Sequence, residues 1–158
     1  MGFARTYSVA LVGLRGHIVD VEADISQGLP GFVLLGLPNT ALNESKERVR
    51  SAAKNTGITL TQHRLTVNLT PATLPKRGSA FDLAIVVAAL QAEKKLHPSG
   101  DSVFLGELGL VGTLRPVPGI LPAVKAAVEA GHHRVIVPAE NAEEAALNPG
   151  APVSGFRG

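Results

Sequence analysis

Apolar and polar residues alternate in two segments of the chain, 18–25 and 64–70. A period of two is typical of a strand with one buried face, so both segments are predicted strands. In the first, Val19 and its odd-numbered neighbours face the core, and Asp20, Glu22 and Asp24 face solvent. Shorter apolar segments bounded by turn residues predict further strands over 6–13, 32–37, 103–110, 113–117 and 134–137. The third and fourth of these form a predicted hairpin around 111–112.

Helical spacing and helix-boundary residues predict helices over 39–56, 80–92, 122–130 and 138–147. The first pairs Glu44 with Arg48 on its solvent side and stops at Gly57. The second is apolar on nearly every side, so it is expected at the centre of the fold. The helix between the strands at 113–117 and 134–137 predicts a crossover and a mixed sheet. An α/β or α+β fold with three to four helices packed on one sheet follows.

The amino-acid composition excludes several kinds of functional site. The 158 residues carry 15 Lys and Arg against 13 Asp and Glu, a formal net charge of +2, and no Cys. One domain, 1–158, is expected at this length. The absence of Cys excludes disulfides, thiolate zinc sites, iron–sulfur clusters and a Cys nucleophile. A pI near 9.2 is a weak indication of nucleic-acid binding. Without a signal peptide or a membrane span, we expect a cytoplasmic protein that does not contact membrane.

The polar residues offer few enzymatic arrangements. Asp20, Glu22 and Asp24 could serve a hard cation, but a straight strand spreads its side chains, and a solvated face is favoured. The five His residues lack metal-ligand spacing, so structural roles are favoured for them. No GxxxxGK[ST] or GxGxxG phosphate loop is present, so the segment is not expected to bind ATP itself.

Two further groups each have two interpretations. Ser79 precedes the apolar helix, where it is either a nucleophile assisted by the helix dipole or, as favoured, the cap of a capping box with Asp82. Arg64, Lys76 and Arg77 are either nucleic-acid contacts or, as favoured, solvated surface. No aromatic residue is interleaved with them, so base stacking is not supported.

Four segments together resemble one known family. They are 19–30, 36–38 with 43–50, 67–72, and 76–83. They resemble the N-terminal domain of the magnesium-chelatase-like ATPases, the YifB/ComM family, over about residues 5–147. The resemblance implies an α+β fold like that of the Lon protease catalytic domain, which is shared with part of a ribosomal protein. In this family the domain precedes an AAA+ ATPase module, and ComM is linked to DNA branch migration in natural transformation.

The resemblance also places the Ser and Lys of the Lon catalytic dyad on this chain. The Pro-Lys-x-Gly stretch matches at 75–78, and the nucleophile position then falls on Ala80, one residue after Ser79. The lysine position falls on Leu121. Alanine has no oxygen for nucleophilic attack, and leucine has no proton to exchange. A shifted dyad of Ser79 with Lys125, one turn beyond Leu121, would require a desolvated lysine.

The expected function is therefore a non-catalytic module of a YifB/ComM-like ATPase, serving ring assembly or DNA contact in ATP-dependent DNA processing of the helicase type. Its expected partners are its own AAA+ module, further copies in a homo-oligomeric ring, and DNA. No cofactor is expected in this domain, whereas ATP and magnesium belong to the downstream module. The tail 149–158 is expected to be an unanchored, truncated end of a longer protein. A cryptic Ser-Lys peptidase and a stand-alone nucleic-acid-binding module are the alternatives.

Overall fold

A computed structural model describes residues 2–55, 63–71, 74, 76, 79–132, 134–145 and 153–156, the last segment and 143–145 by their backbone. In this part of the chain the elements follow the order β1 (Gly2–Val12), β2 (Arg15–Ser26), β3 (Gly31–Leu35), α1 (Asn39–Asn55), β4 (Arg64–Thr70), α2 (Asp82–Ala92), β5 (Val103–Phe104), β6 (Glu107–Leu108), β7 (Leu114–Arg115), α3 (Ile120–Glu129), β8 (Val135–Pro138), α4 (Ala139–Ala145) and β9 (Val153–Phe156).

Seven of these strands form one mixed sheet in the order β3-β4-β2-β1-β5-β8-β9. The pairs β1–β2 and β2–β4 are antiparallel, and the four remaining pairs of the sheet are parallel. Strands β6 and β7 form a separate antiparallel hairpin. A mixed sheet with four helices confirms the predicted α+β class.

The alternation in β2 and β4 decides which face of the sheet enters the main core. Val19, Val21 and Ala23 are fully buried, and Leu65 and Val67 are buried beside them on β4. Helices α1 and α2 cover this face, because their apolar residues belong to the same core. A second core lies between the opposite face and α3. The sequence therefore predicted the inward residues of both strands correctly.

Helix α2 is central, as its lack of a polar face predicts. Ala84, Ile85 and Ala88 are fully buried. The hydroxyl of Thr6 on β1 donates to the Ala84 carbonyl at 2.8 Å. A buried hydroxyl needs such a partner, since burying it unpaired is costly. Contacts of this kind hold α2 directly on the middle strand of the sheet.

The predicted strand 103–110 is wrong in its extent. It divides into β5, which joins the main sheet, and β6, which pairs with β7 instead. The division occurs where the Leu105 N–H still donates to the Ile136 carbonyl, whereas the Gly106 N–H donates to the Ala80 carbonyl. The parallel crossover through α3 therefore runs from β5 to β8, and not from the strand at 113–117.

One boundary and one segment also differ from expectation. Helix α3 begins at Ile120, two residues before Pro122, and follows Gly119 with a φ of +72°. The tail predicted to be unanchored contains β9, which pairs in parallel with β8 from Val135↔Val153 onward. Strand formation depends strongly on context, and the pairing with β8 supplies a context that the sequence of these four residues does not reveal. The predicted stop at Gly57 lies outside the described residues.

Among the described residues, no helix combines the length and the apolar character needed to cross a membrane.

Candidate functional site

A buried carboxylate joins three elements beside the start of α2. Asp82 is 0% exposed. Its Oδ1 accepts a hydrogen bond from the Ser45 hydroxyl at 2.6 Å, and its Oδ2 accepts one from Arg48 Nε at 2.6 Å. The Leu108 N–H donates to the same Oδ2 at 3.1 Å. One side chain thus connects α1, α2 and β6.

The sequence of α1 explains why two donors meet one carboxylate. Ser45 and Arg48 are three residues apart, which places them on the same face of a helix. That face is turned toward α2, so the Arg48 guanidinium lies beside the buried Ser45 and points away from solvent. Burial raises the pKa of Asp82 above its ordinary value, whereas the hydrogen bonds from Arg48, Ser45 and Leu108 favour the charged form. The hydrogen bond to Asp82 raises the pKa of Arg48 in turn.

The predicted Glu44–Arg48 pair is correspondingly weak. The Glu44 carboxylate lies 3.9 Å from Arg48 and its side chain is 64% exposed, whereas the Arg48 side chain is only 19% exposed. Arg48 was predicted on the solvent side of α1, and that prediction is wrong. A buried carboxylate from another helix outcompetes a solvated one on the same helix, since charge pairing is stronger where water is excluded.

Lys76 is also buried, with 1% of its surface exposed. Its ammonium donates hydrogen bonds to the backbone carbonyls of Pro71 and Leu74, the latter at 3.2 Å. Burial lowers the pKa of Lys76. The expectation of a solvated lysine at this position is wrong, because the ammonium is bound to the backbone of its own loop.

Ser79 does not form the predicted capping box. The N-cap of α2 is Phe81, and no side chain provides a cap hydrogen bond. Ser79 contributes its backbone carbonyl, which accepts the Asp82 N–H at 3.2 Å. The Asp82 side chain cannot reach back toward Ser79, because Arg48, Ser45 and Leu108 already hold it.

A surface cleft of about 590 Å³ lies above this network. Its lining consists of residues from α1 and the position before it, the loop before α2, and β6: Pro38, Thr40, Ala41, Glu44, Arg48, Lys76, Ser79 and Glu107. The two cations of the cleft are already bound, Arg48 by Asp82 and Lys76 by carbonyls. The carboxylates of Glu44 and Glu107 are more accessible, and Glu107 lies 3.4 Å from Arg115. The cleft therefore presents hydroxyls and carboxylates to solvent.

The two positions implied for the Lon dyad carry no reactive group. Ala80 packs against the core beneath α3, and its carbonyl accepts the Gly106 N–H. Leu121 is 38% exposed on the first turn of α3. Lys125 lines a different cleft from Ser79, and its side chain is 69% exposed. The structure thus does not bring Ser79 and Lys125 together, and Lys125 is not desolvated.

The remaining sequence-predicted groups are dispersed. Arg64 is exposed at the first residue of β4, and Arg77 lies outside the described residues. His132 Nδ1 lies 2.5 Å from the Asp101 carbonyl and its ring contacts Tyr7, which fits the structural role favoured for it. In the described segments, no group of three His, Asp or Glu residues is arranged to hold a metal ion.

Sequence reasoning missed the Ser45–Arg48–Asp82 network. A signal was present, because Asp82 is the one charged residue in the apolar segment 80–92. An aspartate in such a helix needs a partner, since an unpaired buried charge is strongly unfavourable. The sequence could therefore have indicated that Asp82 is paired, although nothing local identifies Arg48 as the partner.

The chain matches known proteins that are much longer than itself. An uncharacterized protein of Mycobacterium tuberculosis is 50% identical over 159 residues, which cover 99% of this chain and 32% of that protein. The competence protein ComM of Haemophilus influenzae is 42% identical over 93% of this chain and 29% of its own length. The chain thus spans about a third of the length of the curated relatives it matches.

A more distant match is to a Lon protease. The Lon protease of Mycolicibacterium smegmatis is 28% identical over 84% of this chain and 18% of its own length. The mixed sheet with four packed helices is accordingly a Lon-like α+β fold. The family model described as subunit ChlI of Mg-chelatase matches residues 21–141. The chain belongs to this magnesium-chelatase ChlI family and is a homologue of its YifB and ComM proteins.

Proposed function

We propose that this chain is a non-catalytic, Lon-like N-terminal module of a ComM-like AAA+ ATPase. Its role is to assemble the ring in which downstream modules bind ATP and magnesium and process DNA. The observation that carries the proposal is the pair Ala80 and Leu121 at the positions of the Lon dyad. The much greater length of the relatives supports it, since they have room for an ATPase module beside this segment.

The contacts of the charged side chains in the cleft support a structural role for them. A general base must accept a proton at its operating pH and lie within hydrogen-bond reach of the nucleophile. Lys76 has a lowered pKa, but its ammonium donates hydrogen bonds to the Pro71 and Leu74 carbonyls. The Arg48 guanidinium is held in an ion pair with Asp82. We infer that the former catalytic edge of a Lon-like fold is stabilised here by a fixed ion pair.

The alternative of a Ser-Lys peptidase makes a different prediction for the same chain. Degradation of a fluorescently labelled unfolded protein is measured with the wild type, Ser79→Ala and Lys76→Met. We expect no activity above background for any of the three. Turnover by the wild type that both variants lose would replace the non-catalytic proposal with the peptidase.

The position of ATP hydrolysis is tested with two lengths of the protein. The 158-residue chain is compared with the full-length protein in an assay of phosphate release. We expect hydrolysis by the full-length protein and none by this chain, because it has no phosphate loop. ATP hydrolysis by the chain alone would overturn the assignment.

DNA contact is the second role considered for the module. The exposed Arg64 favours it, whereas the burial of Lys76 removes one of the expected cations. Phosphate contacts weaken steeply with salt. Binding of labelled single- and double-stranded DNA at 50 and 200 mM salt, with Arg64→Ala as the variant, tests this role. Absence of binding at the lower salt would leave ring assembly as the function of the module.

A further inference from the structure

Part of the main sheet has one face without a covering helix in the described structure. Val9 and Ile18 face each other across β1 and β2, and both pack against the core beneath α3. Farther from the β1–β2 turn, the same face carries exposed side chains. Phe3 is 60% exposed and Leu35 is 46% exposed. Helix α3 therefore covers only the end of the sheet near the turn.

This open sheet face is defined here as Phe3, Arg5, Asp20, Glu22, Asp24 and Leu35. Arg5 pairs with Glu22 at 2.7 Å. Asp20 and Asp24 have no cation within ion-pair distance among the described residues. The open sheet face is thus negative at its centre and apolar at its two sides, with Phe3 on β1 and Leu35 on β3.

The opposite end of β1 and β2 carries the complementary properties. The turn between the two strands exposes Leu14 by 87% and Val12 by 45%. Arg15 is exposed beside them, and Lys125 on α3 is 69% exposed across a groove of about 700 Å³. We call Val12, Leu14, Arg15 and Lys125 the hairpin tip. It is apolar at its centre and carries two cations, with Glu129 at 3.8 Å from Lys125 as an exposed and weak partner.

The two surfaces cannot meet within one molecule. Phe3 and Val12 belong to the same continuous strand, and nine residues of strand span roughly 30 Å. Their complementarity can be satisfied only between molecules. A contact between two different patches of one chain is heterologous, and such contacts produce closed rings or open filaments.

We propose that the hairpin tip of one copy docks on the open sheet face of the next copy. Leu14 lies against Phe3, at one of the two apolar sides, while Arg15 and Lys125 pair with Asp20 and Asp24. The proposal rests on the proposed ring-assembly function and names the surfaces that would perform it. Because the contact is electrostatic and lies at the protein surface, association weakens as ionic strength rises.

Charge reversal tests the contact by sedimentation velocity of the 158-residue chain at low salt. The face variant is Asp20→Lys with Asp24→Lys, and the tip variant is Arg15→Glu with Lys125→Glu. We expect either variant alone to self-associate at least roughly tenfold more weakly than the wild type. The reason is that each then presents two surfaces of the same sign. Circular dichroism confirms that each variant is folded.

Mixing the two variants provides the decisive test of the contact. An equimolar mixture of the face and tip variants, and a single chain with all four reversals, both restore opposite signs across the contact. Both should associate again. The pair Lys46→Glu with Lys54→Glu on α1 is the matched control and should behave as the wild type.

A wild type that remains monomeric at millimolar concentration and low salt would overturn the proposed contact. A mixture that does not associate would do the same. In either case an absence of peptidase and ATPase activity in this chain would leave the non-catalytic assignment standing. Conversely, activity in an associating chain would overturn that assignment alone.

Discussion

Arg48 Nε lies 2.6 Å from Asp82 Oδ2 and joins the surface of α1 to the buried start of α2. The relationship spans 34 residues of sequence and determines the environment of both charges. It also determines what the adjoining cleft can do, because the guanidinium is held on the protein side and not offered to a ligand. The consequences of this pair can be measured by substitution.

Removing one partner of the pair should strongly destabilise the fold. Asp82→Asn leaves the guanidinium of Arg48 half-buried without its counter-charge, and breaking a buried pair in this way costs about 3–5 kcal/mol. The free energy of unfolding in urea measures the loss. Glu44→Gln is the matched control, since its carboxylate is exposed and 3.9 Å from the same arginine. A change within about 1 kcal/mol is expected there. Equal effects of the two variants would contradict the assigned partner.

Two serines near the network should respond differently to truncation. Ser45→Ala removes a buried 2.6 Å hydrogen bond to Asp82 and should cost about 1–3 kcal/mol. Ser79→Ala removes no cap hydrogen bond, so it should cost less than the roughly 0.5–2 kcal/mol typical of an N-cap. Chemical denaturation compares the two. A larger loss for Ser79→Ala would restore the capping role.

The burial of Lys76 predicts a pH dependence of stability. Its pKa is lowered in the folded protein, so the unfolded chain binds the proton more strongly. Stability should therefore rise with pH between the lowered pKa and the ordinary value of 10.5, by at most about 1.4 kcal/mol per pH unit.

Urea denaturation from pH 7 to 10.5 detects that rise. Lys76→Met should reduce it, because the variant has no proton to release at this position. Lys125→Met, at a lysine whose side chain is 69% exposed, should retain it. A wild type whose stability changes no more than that of Lys76→Met would show that the ammonium is not desolvated.

Alanine substitutions at two glycines distinguish the energetic cost of close packing from the cost of backbone strain. Gly36 has a φ of +91° and Gly131 a φ of +85°, so alanine is strained at both positions. At Gly36 a Cβ would also overlap the Leu69 carbonyl, whereas nothing lies near the Cβ position of Gly131. Gly36→Ala should be about 1–3 kcal/mol more destabilising than Gly131→Ala. Thermal unfolding of both variants tests the difference, and similar losses would contradict the close approach of β3 and β4.

Local periodicity was sufficient for much of the fold. The alternation of residues 18–25 and 64–70 identified β2 and β4 together with their buried faces, and the apolar segment 80–92 identified the central helix. Both patterns arise from side-chain directions along a regular backbone, and such directions repeat every 2 or 3.6 residues whatever surrounds them. Strand pairing and the division between β5 and β6 depend on distant partners, so they left no equivalent pattern.

The candidate site shows more clearly which properties follow from the sequence and which follow from the tertiary structure. The sequence by itself determined that Ala80 and Leu121 cannot form a Ser-Lys pair, because that conclusion needs only the chemistry of two side chains. Tertiary structure decided that Arg48 binds Asp82 instead of Glu44, that Lys76 is buried on carbonyls, and that residues 153–156 extend the sheet. Each of these outcomes depends on which groups, far apart in the chain, exclude water from one another. That exclusion exists only once the chain has folded.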